Sequence, residues 1–290
     1  MVSNVDGDRH YLWVSLPKCI CQFQNLKNLC LYYCSELKEL PALEIGSEAL
    51  SGDFPVLERL ELWSLSIESM VWNEGAMLKL QILEIACCEE LKTLRMEKLP
   101  NLRDLNILEC DELFIGSGGF PMLERLQLNK LPNLDSVPSS MWNEGTMPKL
   151  QFLHIIECPL LGRLSLEKFP NLEEIQFCSW NCWEKVEVDI GSLPMLQRLT
   201  LAGLQELESI ARPSTVWNER TMPNFQILRI IDCPLLKRLP MGMDELSNLR
   251  EIVGKLDWWE GIIWKDNDIK IKLSQFFREY EDWEYDEYIT

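Results

Sequence analysis

The segment Leu26–Pro41 reads LKNLCLYYCSELKELP, and the spacing of its apolar residues decides the fold. Counted from Leu26, apolar residues stand at offsets 0, 3, 5, 8, 11 and 14. The alternation around offsets 3 and 5 is typical of a strand that buries every second side chain, whereas the later steps of three are typical of a turn that carries the chain to the next strand. One such coil cannot cover its own leucines, so the pattern predicts that further copies stack on it.

The same spacing returns along the chain, and its first apolar residue occurs at Leu26, Leu57, Leu80, Leu102, Leu123, Leu150, Leu172, Leu196, Phe225 and Leu249. The mean interval is about 25 residues, which lies inside the leucine-rich-repeat range of roughly 20–29. The sequence therefore predicts an α/β fold: a right-handed leucine-rich-repeat solenoid, or horseshoe. We expect a parallel β-sheet on its concave face and irregular loops and short helices on its convex side.

The domain organisation follows from the limits of this pattern. We expect an N-terminal lead-in or partial repeat over 1–25, a solenoid of about ten repeats over 26–254, a C-terminal cap with a short helix over 255–278, and an acidic mobile tail over 279–290. Three kinds of repeat rotate, and one kind is preceded by Trp-Asn-Glu at Trp72, Trp142 and Trp217, which we interpret as packing anchors of the convex side. The rotation begins mid-cycle, which favours a part or a descendant of a longer array.

Composition narrows the classes of partner and compartment. The formal net charge is −18, with 28 Lys and Arg against 46 Asp and Glu, which disfavours binding to nucleic acid or to anionic lipid. No apolar run approaches the roughly 20 residues of a membrane helix, and the N-terminus lacks the pattern of a signal peptide. With 11 cysteines, an odd number, the sequence favours reduced thiols and a cytoplasmic location, with the nucleus as a second compartment. We expect a monomer.

Candidate chemical sites are few. Cysteines at offset 8 are expected to pack as small hydrophobes whose S–H satisfies a carbonyl of the turn; they are Cys34, Cys88, Cys110, Cys158 and Cys233. The other Cys groupings do not form the two C-x-x-C-like pairs that are usual for zinc, so we expect neither a metal nor a cofactor. Of the two histidines, His10 and His154, neither lies in a catalytic motif, so the sequence predicts no catalytic residues and no enzyme.

Offsets 2, 4 and 6 of each repeat should point away from the buried leucines and line the concave surface. At offset 2, Asp104 should face Arg125 and Glu174 should face Arg198, which we interpret as scaffold pairs. Large aromatics and irregular residues at the remaining positions are typical of interface hot spots. The candidate partner-binding residues are Tyr32, Trp63, Glu61, Glu84, Leu108, Phe152, His154, Ile156, Arg229 and Ile231. Alternatively, another part of the molecule, such as a further domain or the tail, covers these positions.

Two segments, LHIIECPLLGRL (153–164) and LRIIDCPLLKRLP (228–240), resemble the irregular repeats of plant nucleotide-binding leucine-rich-repeat disease-resistance proteins, as does the opening segment. The stretch KLDWWEGIIWKDNDIKIKLSQFF (255–277) is similar to the C-terminal cap of the grass members, which are of the coiled-coil type. The resemblance extends from Leu26 to Phe277. No G-x-x-x-x-G-K-[S/T] phosphate loop is present, so the nucleotide-binding and coiled-coil domains of that family are absent from this sequence.

The resemblance implies a protein–protein recognition scaffold in plant defence. Its partner would be a pathogen effector, a host protein guarded by the receptor, or a nucleotide-binding domain. Two alternatives remain at this stage: a leucine-rich-repeat adaptor, such as the substrate-binding module of a ubiquitin ligase, and a non-autonomous fragment of a resistance gene.

Overall fold

The structure is a computed structural model that describes residues 23–34, 54–72, 77–96, 99–115, 119–133, 143, 145–158, 166–178, 190, 193–211 and 214–280. The chain divides into two compact units, Met1–Lys149 and Leu150–Thr290.

The first unit contains two parallel sheets. The larger one has the strands, in spatial order, β1 (Asn28–Tyr32), β2 (Arg59–Trp63), β4 (Ile82–Ala86), β6 (Asp104–Leu108) and β8 (Arg125–Asn129). A smaller sheet lies on the return path between these strands and consists of β3 (Ser69–Val71), β5 (Thr93–Arg95) and β7 (Phe114–Ile115). The sequence predicted only loops and short helices for that side, so the smaller sheet is an addition to the predicted architecture.

The second unit continues the same design with one parallel sheet, in the order β9 (Phe152–Ile156), β10 (Glu174–Cys178), β11 (Arg198–Ala202), β12 (Ile227–Ile231), β13 (Glu251–Gly254) and β14 (Phe277–Glu279). Its return segments include 3-10 helices at Leu166–Lys168 and Met243–Glu245. Two α-helices, α1 (Leu256–Glu260) and α2 (Asn267–Ser274), stand between β13 and β14.

The register of the strands confirms the repeat that the sequence predicted. In every repeat the described strand of the larger sheet begins at offset 2, from Asn28 in β1 to Glu251 in β13. Offsets 3 and 5 point inward, as Leu60 and Leu62 show with no exposed surface. Full burial of such a side chain stabilises the fold by about 1.5–3 kcal/mol. Because each strand buries only two of these residues, stability depends on stacking between repeats, and the fold is a leucine-rich-repeat solenoid.

The residue at offset 7 has a left-handed backbone in every described repeat except the last, where Leu256 begins α1. These residues are Tyr33, Ser64, Cys87, Glu109, Lys130, Glu157, Gly203 and Asp232, with φ between 49° and 67°. At most of these sites the amide of this residue donates to the carbonyl at offset 6 of the next strand, as Ser64 N does to Ala86 O at 2.9 Å. The turn therefore accepts about 1–2 kcal/mol of backbone strain to keep the ladder running past the strand end.

We expect Gly203→Ala to lower the free energy of unfolding by about 1 kcal/mol, because Gly203 has φ 67° and an added Cβ is strained in that conformation. Urea denaturation followed by circular dichroism measures the change. Gly119→Ala is the matched control, since Gly119 lacks a positive φ and the nearest heavy atom to a Cβ there would be 3.6 Å away. Equal losses in the two variants would contradict the assignment of strain to offset 7.

The cysteines at offset 8 behave as predicted. Each thiol donates to the carbonyl two residues earlier, at distances of 3.3–3.5 Å; the donors are Cys34, Cys88, Cys110, Cys158 and Cys233. Four of them are buried and Cys34 is part-buried. Burial raises the pKa of the Cys110 and Cys233 thiols to about 12, so these groups stay protonated and unreactive at neutral pH. All eight cysteines within the described ranges carry free thiols.

In the last repeat, the inward position at offset 5 is a glycine instead of a large aliphatic residue. Its offset-5 position is Gly254, where the neighbouring strand has the buried Ile230. The ring of Trp258 in α1 occupies the vacated space, and its indole nitrogen donates to the carbonyl of Leu236 at 2.9 Å. The cap thus places an aromatic ring where the other repeats place an aliphatic side chain.

The cap also extends further than the sequence predicted. Glu279 closes β14, and Tyr280 is 6% exposed with its amide bonded to the carbonyl of Gly254 at 3.0 Å. The predicted mobile tail includes both residues, but they pack as part of the second unit, because β14 adds one more parallel strand beside β13. The rest of the predicted tail, 281–290, lies outside the described residues, as do the lead-in 1–22 and Trp142.

Candidate protein-recognition face

The even face is the surface of the larger sheets that carries the residues at offsets 2, 4 and 6. All ten candidate partner-binding residues lie in strands on this face, as the period-2 alternation predicted. Five of them belong to the first unit and five to the second. Their burial and contacts differ between the two units.

In the first unit, Tyr32 and Trp63 form an aromatic pair. They are direct register partners on β1 and β2, with ring centroids 5.8 Å apart and planes tilted by 52°. Both rings are part-buried, and so is Leu108, which is separated from Trp63 along the same column by the buried Ala86. A tilted pair of this kind keeps the rings in place while leaving part of their apolar surface accessible.

Glu61 fixes the aromatic pair from the neighbouring column. It accepts hydrogen bonds from the hydroxyl of Tyr32 and from Nε of Arg59. Burial of the Glu61 carboxyl opposes its ionisation, but these hydrogen bonds and the charge of Arg59 outweigh that effect and hold its pKa below the usual value. The same contact raises the pKa of the Tyr32 hydroxyl, which therefore stays protonated and acts as a donor.

Glu84 lies directly opposite Glu61 in the register of β2 and β4, so two carboxylates face each other. Arg59 lies between them, with its Nη2 3.7 Å from a carboxylate oxygen of Glu84. Burial, followed by the charge of Glu61, raises the pKa of Glu84 above its usual value. Arg59 stands at offset 2, a position that the sequence analysis interprets as scaffold, so this role of Arg59 was not predicted. Its position in the strand gave no indication that one guanidinium serves two carboxylates.

In the second unit, Glu174 is the centre of a polar group on β9, β10 and β11. It accepts a hydrogen bond from Arg198, and one of its oxygens lies 3.3 Å from Nε2 of His154. Burial of Glu174 favours the neutral acid, but its interactions with His154 and with the charge of Arg198 are together stronger and lower its pKa to about 2. The predicted pairing of Glu174 with Arg198 is confirmed, and Asp104 likewise lies 3.5 Å from Arg125 in the first unit.

Glu174→Gln is expected to lower the free energy of unfolding by about 1–2 kcal/mol at pH 7. A carboxyl with a depressed folded pKa stabilises the fold above its unfolded value of about 4.5, and that stabilisation is lost as the pH falls towards 2. The difference between wild type and variant should therefore shrink between pH 5 and pH 3 in urea titrations. Glu167→Gln, at an exposed carboxylate, serves as the control, and a difference for Glu174 that is independent of pH would argue against the ion pair.

Two candidates, Ile156 and Ile231, are not accessible as predicted. Their side chains are 2% and 0% exposed, and they form a buried cluster with Cys178, Ala202, Val253 and Tyr280. The alternation placed them correctly on the even face, but alternation does not indicate what covers a face. Tyr280, which the sequence analysis did not consider, contributes to this cover. The alternative that an intramolecular neighbour covers part of the candidate face therefore holds in the second unit.

Phe152 and Arg229 remain part-exposed in the second unit. Arg229 has a side chain that is 18% exposed, with Nη2 3.9 Å from a carboxylate oxygen of Glu251. Arg278 in β14 binds the other oxygen of Glu251 at 2.5 Å. Cationic side chains therefore outnumber the carboxylates in this corner of the even face.

Among the described residues, no three His, Cys, Asp or Glu side chains are arranged to hold a metal ion. Within the same ranges, no helix has the length and apolar character needed to cross a bilayer.

Comparison with known proteins identifies relatives of this chain by sequence. No family model matches the chain. Two curated proteins of Arabidopsis thaliana, the probable disease resistance proteins RF45 and RDL5, are each 30% identical to it over 267 residues. Its homologues are plant disease-resistance proteins. These alignments cover 77% of the chain and 25% of each relative, so the chain spans about a quarter of the length of the disease-resistance proteins that it matches.

A solved structure, the plant peptide hormone receptor RGFR1 in complex with RGF2, aligns with this chain. The alignment covers 88% of this chain and 48% of the receptor chain. The sequence identity between the two proteins is 17% and the TM-score is 0.38.

Proposed function

We propose that this chain is a protein-recognition module in plant defence, of the kind that senses a pathogen effector or a host partner. The observation that carries the proposal is the Tyr32–Trp63 pair on the even face of the first unit. Homology to disease-resistance proteins over 77% of the chain supports the biological context.

The aromatic pair has the properties of an interface hot spot. Trp and Tyr are enriched in such sites because they supply large contact areas at a low cost in conformational entropy. Here the hydrogen bond from Tyr32 to Glu61 and the contact between the rings hold both side chains before a partner arrives. A preorganised side chain loses less freedom on binding, so more of its contact energy appears as affinity. The charged residues around the pair, Arg59 and Glu84, would then contribute specificity.

The finer features of the proposal come from the sequence. The resemblance of 255–277 to the cap of grass coiled-coil-type resistance proteins supports membership in that group. We further propose a cytoplasmic, monomeric module without catalytic activity, cofactor or nucleic-acid partner. A net charge of −18 supports the last point. In a resistance receptor a nucleotide-binding domain would be a second partner of such a module.

The decisive experiment measures binding by a variant without the aromatic pair. Proximity labelling in native tissue identifies partners, and calorimetry then gives the Kd for wild type and for the double variant Tyr32→Ala, Trp63→Ala. We expect the affinity of the double variant to fall by about 30-fold or more, since hot-spot truncations cost at least about 2 kcal/mol.

Phe114→Ala is the matched control, because Phe114 is an aromatic residue that is 38% exposed on the smaller sheet rather than on the even face. We expect this variant to bind as wild type does. If the double variant retains every partner at wild-type affinity, the proposed hot spot is wrong. If the partners are ubiquitin-ligase subunits, the adaptor alternative replaces the sensor.

A further inference from the structure

The even face of the first unit carries more negative than positive charge. Its described ionised side chains are three carboxylates and two guanidinium groups, which belong to Glu61, Glu84, Asp104, Arg59 and Arg125. In the corresponding ion pairs of the second unit the balance is reversed, because three arginines stand against two glutamates. A cationic group of a partner is therefore attracted to the even face of the first unit more than to that of the second.

Glu84 is the carboxylate of this group with an exposed charge and no close cation. Arg59 donates a hydrogen bond to Glu61, and its Nη2 stays 3.7 Å from Glu84, which is beyond hydrogen-bond length. Glu84 faces the like charge of Glu61 across the strand register and keeps 19% of its side-chain surface exposed. A further cation can therefore reach Glu84 from solvent.

Two side-chain amide oxygens near Glu84 lack a hydrogen-bond donor among the described residues. Asn106 is the direct register partner of Glu84 on β6, and its Oδ1 is buried without a donor. Asn129 on β8 lies diagonally beyond Asn106; its side chain is 2% exposed, and its Oδ1 also has no donor. Because a buried acceptor without a donor is destabilising, a ligand rich in donors gains hydrogen bonds here that the free protein does not make.

The indole ring of Trp63 lies beside the same carboxylate. Trp63 at offset 6 of β2 is diagonal to Glu84 at offset 4 of β4. Burial and the charge of Glu61 raise the pKa of Glu84, and a smaller effect of the Trp63 side chain opposes them, as expected for groups side by side. The ring is part-buried and held by Tyr32. An aromatic ring next to a carboxylate suits a planar cation, which stacks on the ring while it donates to the carboxylate.

We propose that Trp63, Glu84 and Asn106 together bind an arginine side chain of the protein partner. The guanidinium group lies against the indole ring and donates to the Glu84 carboxylate. Asn106 is part-exposed, so rotation about its soft χ2 torsion turns Oδ1 towards the same guanidinium group. Asn129 offers the next acceptor to a main-chain amide of the partner segment. The inference rests on the proposed function, because it names the chemical group that a partner places beside the Tyr32–Trp63 pair.

The probe that tests this site is N-acetyl-arginine amide, titrated into the full chain while the indole N–H signals are followed by NMR. The Trp63 signal is assigned by its loss in Trp63→Phe. We expect it to shift saturably, whereas the signal of Trp72, which is 3% exposed and lies outside the even face, should not move. N-acetyl-citrulline amide has the same shape without the charge. It should bind at least about tenfold more weakly, since charge-assisted hydrogen bonds are lost.

Two variants assign the contacts of the arginine probe. Glu84→Gln should raise its Kd at least about tenfold, and Asn106→Leu at least about threefold. Glu58→Gln is the matched control, because Glu58 stands at offset 1, outside the even face, and pairs with Lys27; its Kd should equal that of wild type. If Asn106→Leu raises the stability of the fold and leaves the Kd unchanged, the unpaired oxygen is only a packing defect, and the role of Asn106 is refuted.

Absence of a saturable shift at Trp63 overturns the proposal, as do equal Kd values for the arginine and citrulline probes or for Glu84→Gln and Glu58→Gln. Such a failure leaves the proposed function standing, because that function is judged by loss of native partners in the double variant Tyr32→Ala, Trp63→Ala. If the arginine probe binds as expected but the double variant keeps every native partner, the proposed function fails and the arginine site remains.

Discussion

Trp217→Ala is expected to lower the free energy of unfolding of the second unit by about 3–5 kcal/mol, the largest loss that we predict. The Trp217 side chain has no exposed surface and meets Phe225 edge-on, with ring centroids 4.9 Å apart. Truncation removes this buried area and leaves a cavity, and neighbouring repeats cannot collapse into it without breaking their own register. The result would confirm the sequence-based interpretation of the Trp-Asn-Glu tryptophans as packing anchors.

Hydrogen exchange measured by mass spectrometry locates the effect, because a solenoid passes a defect mainly to neighbouring repeats. Protection should fall first in β12 and β13 and much less in β1 and β2. Trp217→Phe is the conservative control and should cost less than half as much, since it keeps most of the buried ring. Loss of less than 1 kcal/mol in Trp217→Ala would mean that the ring is not a packing anchor.

Gly254→Ala should be the second most damaging change, with a loss of about 2–3 kcal/mol. A Cβ at this position would lie 2.4 Å from Cε3 of Trp258 and 3.0 Å from the carbonyl oxygen of Ile230. The ring cannot move away easily, because it is 8% exposed and held by its hydrogen bond to Leu236. Chemical denaturation of the variant measures the loss.

A double-mutant cycle separates the clash with the ring from other effects of the methyl group. In the Trp258→Ala background the space above Gly254 is empty, so Gly254→Ala should then cost less than about 1 kcal/mol. The expected coupling energy is therefore at least about 1–2 kcal/mol, within the range for residues in contact. Additive losses would show that the methyl group acts through the backbone near Ile230 instead.

The strand register could be predicted from sequence because burial alternates with a fixed period along each strand. This alternation correctly placed the first residue of the strand in every repeat, from Asn28 to Glu251. The left-handed residue after each strand could not be predicted in the same way. Its side chains include Tyr33, Lys130 and Asp232, and a single glycine, Gly203, marks the conformation. At most of these sites a backbone hydrogen bond to the next strand accompanies the conformation, so it depends on tertiary contacts that local sequence does not encode.

The sequence predicted only part of the candidate face, because the rest depends on tertiary contacts. Alternation places Tyr32, Trp63 and Ile156 on the same side of the strands, but the cover on that side comes from residues distant in sequence. Tyr280 is more than 100 positions from Ile156, and no local pattern links them. The network of Arg59 with two glutamates was missed because it depends on side-chain reach across strands rather than on position within one strand.

The backbone after each strand also has an evolutionary consequence. Since the fold fixes φ at offset 7 and leaves the side chain unspecified, exchange of one non-glycine residue for another there changes surface chemistry at nearly constant stability. Offset-7 residues of successive repeats already interact. Glu109 accepts hydrogen bonds from the Cys87 thiol at 3.2 Å and from the ammonium group of Lys130 at 2.8 Å. Duplication of such repeats in a gene produces a row of variable side chains, one beside each strand. Selection can change these side chains, and with them the binding preference, without changing the core.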